Sequence, residues 1–181
     1  MRRPKARRAE RGYNLIELLI AMALLGTILL SIVTLFAFGR RNVYSGKQLT
    51  RATSVTTQVL EDLQPLNVAT FNTQFKITST EKPAKFTVGG VTYDKALVRS
   101  TADLTKQETT GPKYLTRWND LIPASKMAQG KVTLVILPDQ MFTVDDPTTA
   151  AVVRLRVVTE WREESRTRYV TADAVKFNRA F

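Results

Sequence analysis

The first marked pattern along the chain is an uninterrupted apolar run. From Leu15 to Phe38 the sequence reads LIELLIAMALLGTILLSIVTLFAF, 24 residues in which Glu17 is the one ionisable group. At about 1.5 Å per helical residue this run covers the roughly 30 Å of a hydrocarbon core, so it predicts a membrane-spanning helix. Polar residues then enter, and Leu49, Ala52, Val55, Val59, Leu60 and Leu63 recur at helical spacing. That stripe predicts that the helix continues with one face on a core. Pro65 disfavours helical geometry at Gln64 and stops it there. A helix from Tyr13 to Gln64 would be about 78 Å long, with Gly26, Gly39 and Gly46 as its weak points.

Beyond Pro65 the pattern shortens to runs rich in Val, Thr and aromatic residues, separated by turn residues. FTVGGVTY, residues 86–93, reads as a tight hairpin about Gly89-Gly90, and KVTLVIL, residues 131–137, reads as a strand. Further on, Val153, Leu155, Val157 and Trp161 alternate with Arg154, Arg156, Glu160 and Arg162. The strand turns through Glu163 to Ser165 into a second, which predicts a half-buried antiparallel hairpin. Residues 101–130 and 138–150 are polar, punctuated by Gly111, Pro112, Pro123, Gly130 and Pro147, and read as loops. The fold class expected is α+β, a long N-terminal helix packed on an antiparallel β-sheet head.

Charge changes the picture at the N-terminus. The formal net charge is +11, yet MRRPKARRAERG holds six of the 27 basic residues, Arg7, Arg8 and Arg11 among them, against Glu10 alone. The leader therefore carries nearly half of the excess, which weakens the step from a pI of 10.2 to nucleic acid. Basic residues before the run keep that end in the cytoplasm, although Arg40 and Arg41 dilute the asymmetry. The run is too long for the apolar core of a secretory signal peptide. With no Cys and no His in the chain, disulfides, thiolate and imidazole metal sites, and Cys- or His-based catalysis are excluded.

Glu17 needs a reason, because a carboxylate in lipid costs roughly 2.5 to 3.5 kcal/mol at a helix centre and less near an end. Its surroundings, RAERGYNLIELLIAMALLG, resemble the prepilin cleavage and methylation segment of type IV pilins and type II secretion pseudopilins. The resemblance covers roughly residues 7 to 38 and combines leader charge, a boundary Gly, an aromatic residue, LIEL and the apolar run. It implies a prepilin peptidase and methyltransferase cutting after Gly12, N-methylation of Tyr13 and an assembly role for Glu17, the fifth mature residue. Tyr13 stands where Phe is usual, Asn14 where Thr or Ser is common, and Thr34 near the position of a kinking Pro in many major pilins.

That resemblance divides the chain into a removed leader, 1–12; a transmembrane or filament-core helix, 13–38; a soluble half-helix, 39–64; and a β-rich head, 65–181. It implies a subunit of a pilus or secretion-type filament. Such a subunit spans the inner (cytoplasmic) membrane once before assembly and afterwards lies in the pilus, periplasm or cell surface. Its partners would be other pilins or pseudopilins and an inner-membrane assembly platform. The missing Cys pair and the Trp-bearing C-terminal strand suggest a minor pilin or pseudopilin. For Glu17 the expected partner is a neighbour's freed α-amino group, whose reference pKa of about 7.7 to 8.0 leaves it able to hold a proton.

The head offers little chemistry. Glu160, Glu163, Glu164 and the pair Asp145-Asp146 lack calcium-loop spacing and read as solvated charge, so no enzyme activity, cofactor or metal is expected. Trp118 and Trp161 are both expected to be packing residues, with Trp118, in the polar stretch KYLTRWND, the more plausible contact residue of the two. The alternative function is a DNA-binding pilin of a competence pilus. Arg154, Arg156 and Arg162 share one strand face where they could neutralise phosphates, although Glu160 lies among them.

Overall fold

The computed structural model describes residues 14–109, 111–125, 127, 129–138, 148 and 152–177. The element order is α1 (Leu15–Leu63), α2 (Val68–Gln74), β1 (Ala84–Val88), β2 (Val91–Ser100), a 3₁₀ turn (Leu104–Lys106), α3 (Tyr114–Ala124), β3 (Lys131–Pro138), β4 (Val152–Glu163) and β5 (Arg166–Phe177). The layout is α+β. Contacts divide the chain into two compact units, Met1–Tyr44 and Ser45–Phe181.

In the first unit α1 is helical without interruption from Leu15. Thr27, Ser31 and Thr34 donate their hydroxyls to the carbonyls of Leu24, Thr27 and Leu30 at 2.8 to 2.9 Å. Each hydroxyl in the run is thus satisfied within its own helix, which lowers the cost of apolar surroundings. Nothing lies within 4 Å of the Cβ that Gly26 or Gly39 lacks.

In the second unit all five strands pair antiparallel in sequence order, β1-β2-β3-β4-β5. One sheet face carries Val132, Leu134 and Ile136 of β3 with Val153, Leu155, Val157 and Trp161 of β4. Ala52, Val55, Val59 and Leu63 of α1 pack on it, as helical spacing predicts, whereas Leu49 stays half exposed. In the same layer Thr56 of α1 meets Thr159 of β4, hydroxyl to hydroxyl at 2.7 Å. Lys176 of β5 closes the C-terminal end of α1, donating its ammonium to the carbonyls of Leu66 and, at 3.4 Å, Gln64. A cation just past the last turn complements the helix dipole.

Two sequence expectations need correcting. The stretch 101–130 is not all loop. It contains α3, whose Leu115, Trp118 and Ile122, spaced by three and four, are all buried; Pro123 sits inside its last turn. Helix α2 was also missed. There Asn67 caps the start, accepting the Thr70 N–H at 2.7 Å, and Val68, Phe71 and Phe75 bury one face. Trp118 and Trp161 both pack in the core, as expected, and Trp118 is stacked on Phe75 with ring centroids 5.5 Å apart. Second, the β4-β5 hairpin alternates as expected along β5 and at Val153–Val157 and Trp161–Arg162 of β4, but not through Val158. In β4 Val157, Val158 and Thr159 are buried consecutively, because the β1-β2 ribbon covers the opposite sheet face. Strand β2 makes this possible, pairing with β1 between Val91 and Ala96 and with β3 from Leu97 onward.

Candidate functional site

Two groups of residues carried functional expectations, and the structure treats them differently. Gly12, Tyr13, Arg7, Arg8 and Arg11 lie outside the described residues, as does the Asp145-Asp146 pair. Glu17 is described. It stands in the first turn of α1, where the Asn14 carbonyl accepts the Glu17 and Leu18 N–H groups at 2.9 and 3.2 Å. A negative side chain there faces the positive end of the helix dipole, a favourable position before any partner is added. The side chain is exposed.

Around Glu17 the helix surface is almost wholly apolar. Leu15, Ile16, Leu18, Leu19 and Ile20 are between 52% and 74% exposed, and the exposed series runs on through Leu35, Phe36 and Phe38. The most apolar stretch of α1 has a mean hydropathy of 2.6 with none of it buried, so among the described residues one helix is long and apolar enough to cross a membrane. Contiguous apolar surface of this extent marks a membrane or protein contact rather than a free soluble surface.

The strand arginines occupy one sheet face, as alternation requires, but they do not act alike. Arg156 is engaged by Asp173, donating through Nη2 at 2.6 Å, and by the Tyr93 hydroxyl at 2.9 Å, with its guanidinium 5.9 Å from the Tyr93 ring centre. The hydrogen bonds and charge of Asp173 raise the Arg156 pKa further, and the same pairing lowers that of Asp173. Arg162 donates to the Glu164 carbonyl at 3.3 Å, and Arg154 is exposed. Glu160, between them, accepts from Lys131 at 2.9 Å and from the Gly89 N–H at 3.3 Å. The turn of the β1-β2 ribbon is thereby fastened over this face, with the Cβ positions of Gly89 and Gly90 against the Tyr169 ring.

The carboxylates are therefore largely structural. Glu163 accepts from Arg168 at 3.2 Å, and among the described residues no group of acidic side chains could hold a metal ion. Sequence reasoning missed the most buried charge among the described residues. Arg99 is 1% exposed and donates to the carbonyls of Phe75, Lys76 and Val98 and to both oxygens of Glu81. Its position on β2 beside small and apolar residues gives no sign of this, since every partner except Val98 comes from the distant 75–81 segment. No protein-family model matches the chain, and no match is found among the curated proteins or the solved structures.

Proposed function

We propose that this chain is a minor pilin or pseudopilin, cut between Gly12 and Tyr13, N-methylated on Tyr13 and assembled into a type IV pilus or type II secretion-like filament. The observation that carries the reading is Glu17, the one charged residue between Leu15 and Phe38, set in the first turn of an exposed apolar helix surface. A lone carboxylate at that depth is tolerable when paired, and cleavage before Tyr13 creates a cationic amine four residues away on every copy. Before cleavage that nitrogen is an uncharged amide. Processing thus supplies the partner that Glu17 lacks, and pairing between copies sets their axial register.

The other support comes from the second unit, where Ala52 to Leu63 of α1 bury on an antiparallel sheet. Such a subunit enters the inner membrane through α1, takes the peptidase and methyltransferase as processing partners, and is delivered to a filament by an assembly platform. It needs no cofactor and performs no catalysis. The test is intact and N-terminal peptide mass of the chain expressed with and without a prepilin peptidase. A peptidase-dependent product beginning at methylated Tyr13 supports the reading; an unprocessed chain in both cultures returns it to a plain membrane anchor.

A further inference from the structure

The apolar segment of α1 ends in a column of residues suited to a phospholipid. Ile32, Phe36, Arg40 and Tyr44 recur every four residues and so stack along one slowly winding face of the helix. Each step is about 6 Å along the axis. Ile32, Phe36 and Tyr44 are 44%, 69% and 54% exposed, and Arg40 and Arg41 are exposed as well. With Phe38 at the edge of the hydrocarbon, Arg40 lies about 3 Å and Tyr44 about 9 Å beyond it. The headgroup layer is about 5 to 7 Å deep on each side. The guanidinium falls inside the headgroup layer and the two apolar side chains alongside the acyl chains. Tyr44, its backbone just beyond that layer, leans back toward it because helical side chains tilt toward the N-terminus.

We propose that Arg40, with Arg41 and Tyr44, binds the headgroup of an anionic phospholipid in the leaflet opposite the leader, with its acyl chains against Ile32 and Phe36. The inference rests on the membrane-spanning reading of α1 and not on filament assembly. Charge complementarity selects the occupant. Two arginines directly past an apolar run oppose the orientation that the leader favours, and a headgroup of opposite charge offsets that conflict. Arginine suits phosphate through its planar fork of donors, and tyrosine is at home where an apolar ring meets a wet interface.

The test is native mass spectrometry of the full chain released from nanodiscs of mixed phosphatidylcholine and phosphatidylglycerol. The wild-type chain should retain phosphatidylglycerol preferentially, and R40Q/R41Q should lose that preference by about fivefold per arginine. The R40K/R41K variant should keep most of it, and the leader variant R7Q/R8Q/R11Q should keep the part owed to this site. An unchanged preference in R40Q/R41Q, or a preference abolished by the leader variant alone, overturns the proposal. Failure of the wild-type chain to enter nanodiscs overturns the membrane reading of α1 and this proposal with it.

Discussion

Trp118 donates its indole N–H to Asp62 across 3.0 Å, fastening α3 to α1 with a side chain that is completely buried. Asp62 also pairs with Arg117 at 3.2 Å, so one carboxylate holds two successive residues of α3. Trp118→Phe keeps most of the ring packing but leaves Asp62 short of a donor. The expected loss is about 1 to 2 kcal/mol in denaturant unfolding of the full chain. Trp118→Ala should cost about 3 to 5 kcal/mol, because it opens a cavity between Phe75 and Tyr114.

Arg99 and Glu81 form an ion pair whose guanidinium is 1% exposed, and breaking it should be costly. Glu81→Gln leaves a guanidinium that is 1% exposed without its counter-charge, for an expected loss of about 3 kcal/mol, toward the low end for a buried pair because Glu81 keeps some solvent contact. Burial alone would raise the Glu81 pKa, but the hydrogen bonds and charge of Arg99, helped by Lys106, hold it below its ordinary 4.5. The folded value is the lower one, so the stabilisation is complete above pH 4.5 and is lost as pH falls through the folded value. Acid unfolding of Glu81→Gln should be correspondingly flatter than that of the parent chain.

Thr56 and Thr159 provide a double-mutant cycle. In Thr159→Val the Thr56 hydroxyl keeps its 2.8 Å bond to the Ala52 carbonyl, so the loss should be about 1 kcal/mol. The double replacement by Val should cost no more than the single one, because both polar groups are removed together. A double mutant that loses the sum of both singles would show that the two hydroxyls act independently.

Gly130 precedes β3 at a place where a Cβ would lie 2.5 Å from Cγ2 of Ile122. Gly130→Ala therefore pushes on the last turn of α3 and should destabilise by about 1 to 3 kcal/mol in thermal unfolding. Gly130→Ala combined with Ile122→Val removes part of that clash, and should recover part of the loss.

In the proposed filament, Glu17→Ala should leave cleavage after Gly12 intact and reduce incorporation, measured as the assembled fraction in a co-assembly pull-down. Normal incorporation of the variant would remove the pairing role of Glu17 while leaving processing untouched.

What the sequence determined by itself are the features that depend on neighbours along the chain. The apolar run, its lone Glu17, the stripe from Ala52 to Leu63 and the Gly89-Gly90 turn, with φ of +57° and +74°, are all local in origin. Helix α3 was legible too, in the spacing of Leu115, Trp118 and Ile122, but Gly111, Pro112 and Pro123 around it spoke for loop. Only the tertiary structure decided which charges are committed. Arg99 finds Glu81 across 18 positions, Arg156 finds Tyr93 across 63, and Lys176 reaches Leu66 across 110. Period and propensity act over a few residues, whereas the cost of burying a charge is met by partners that the fold brings from elsewhere in the chain. The same reason explains Val158, which alternation assigned to the solvent face until the β1-β2 ribbon folded over it.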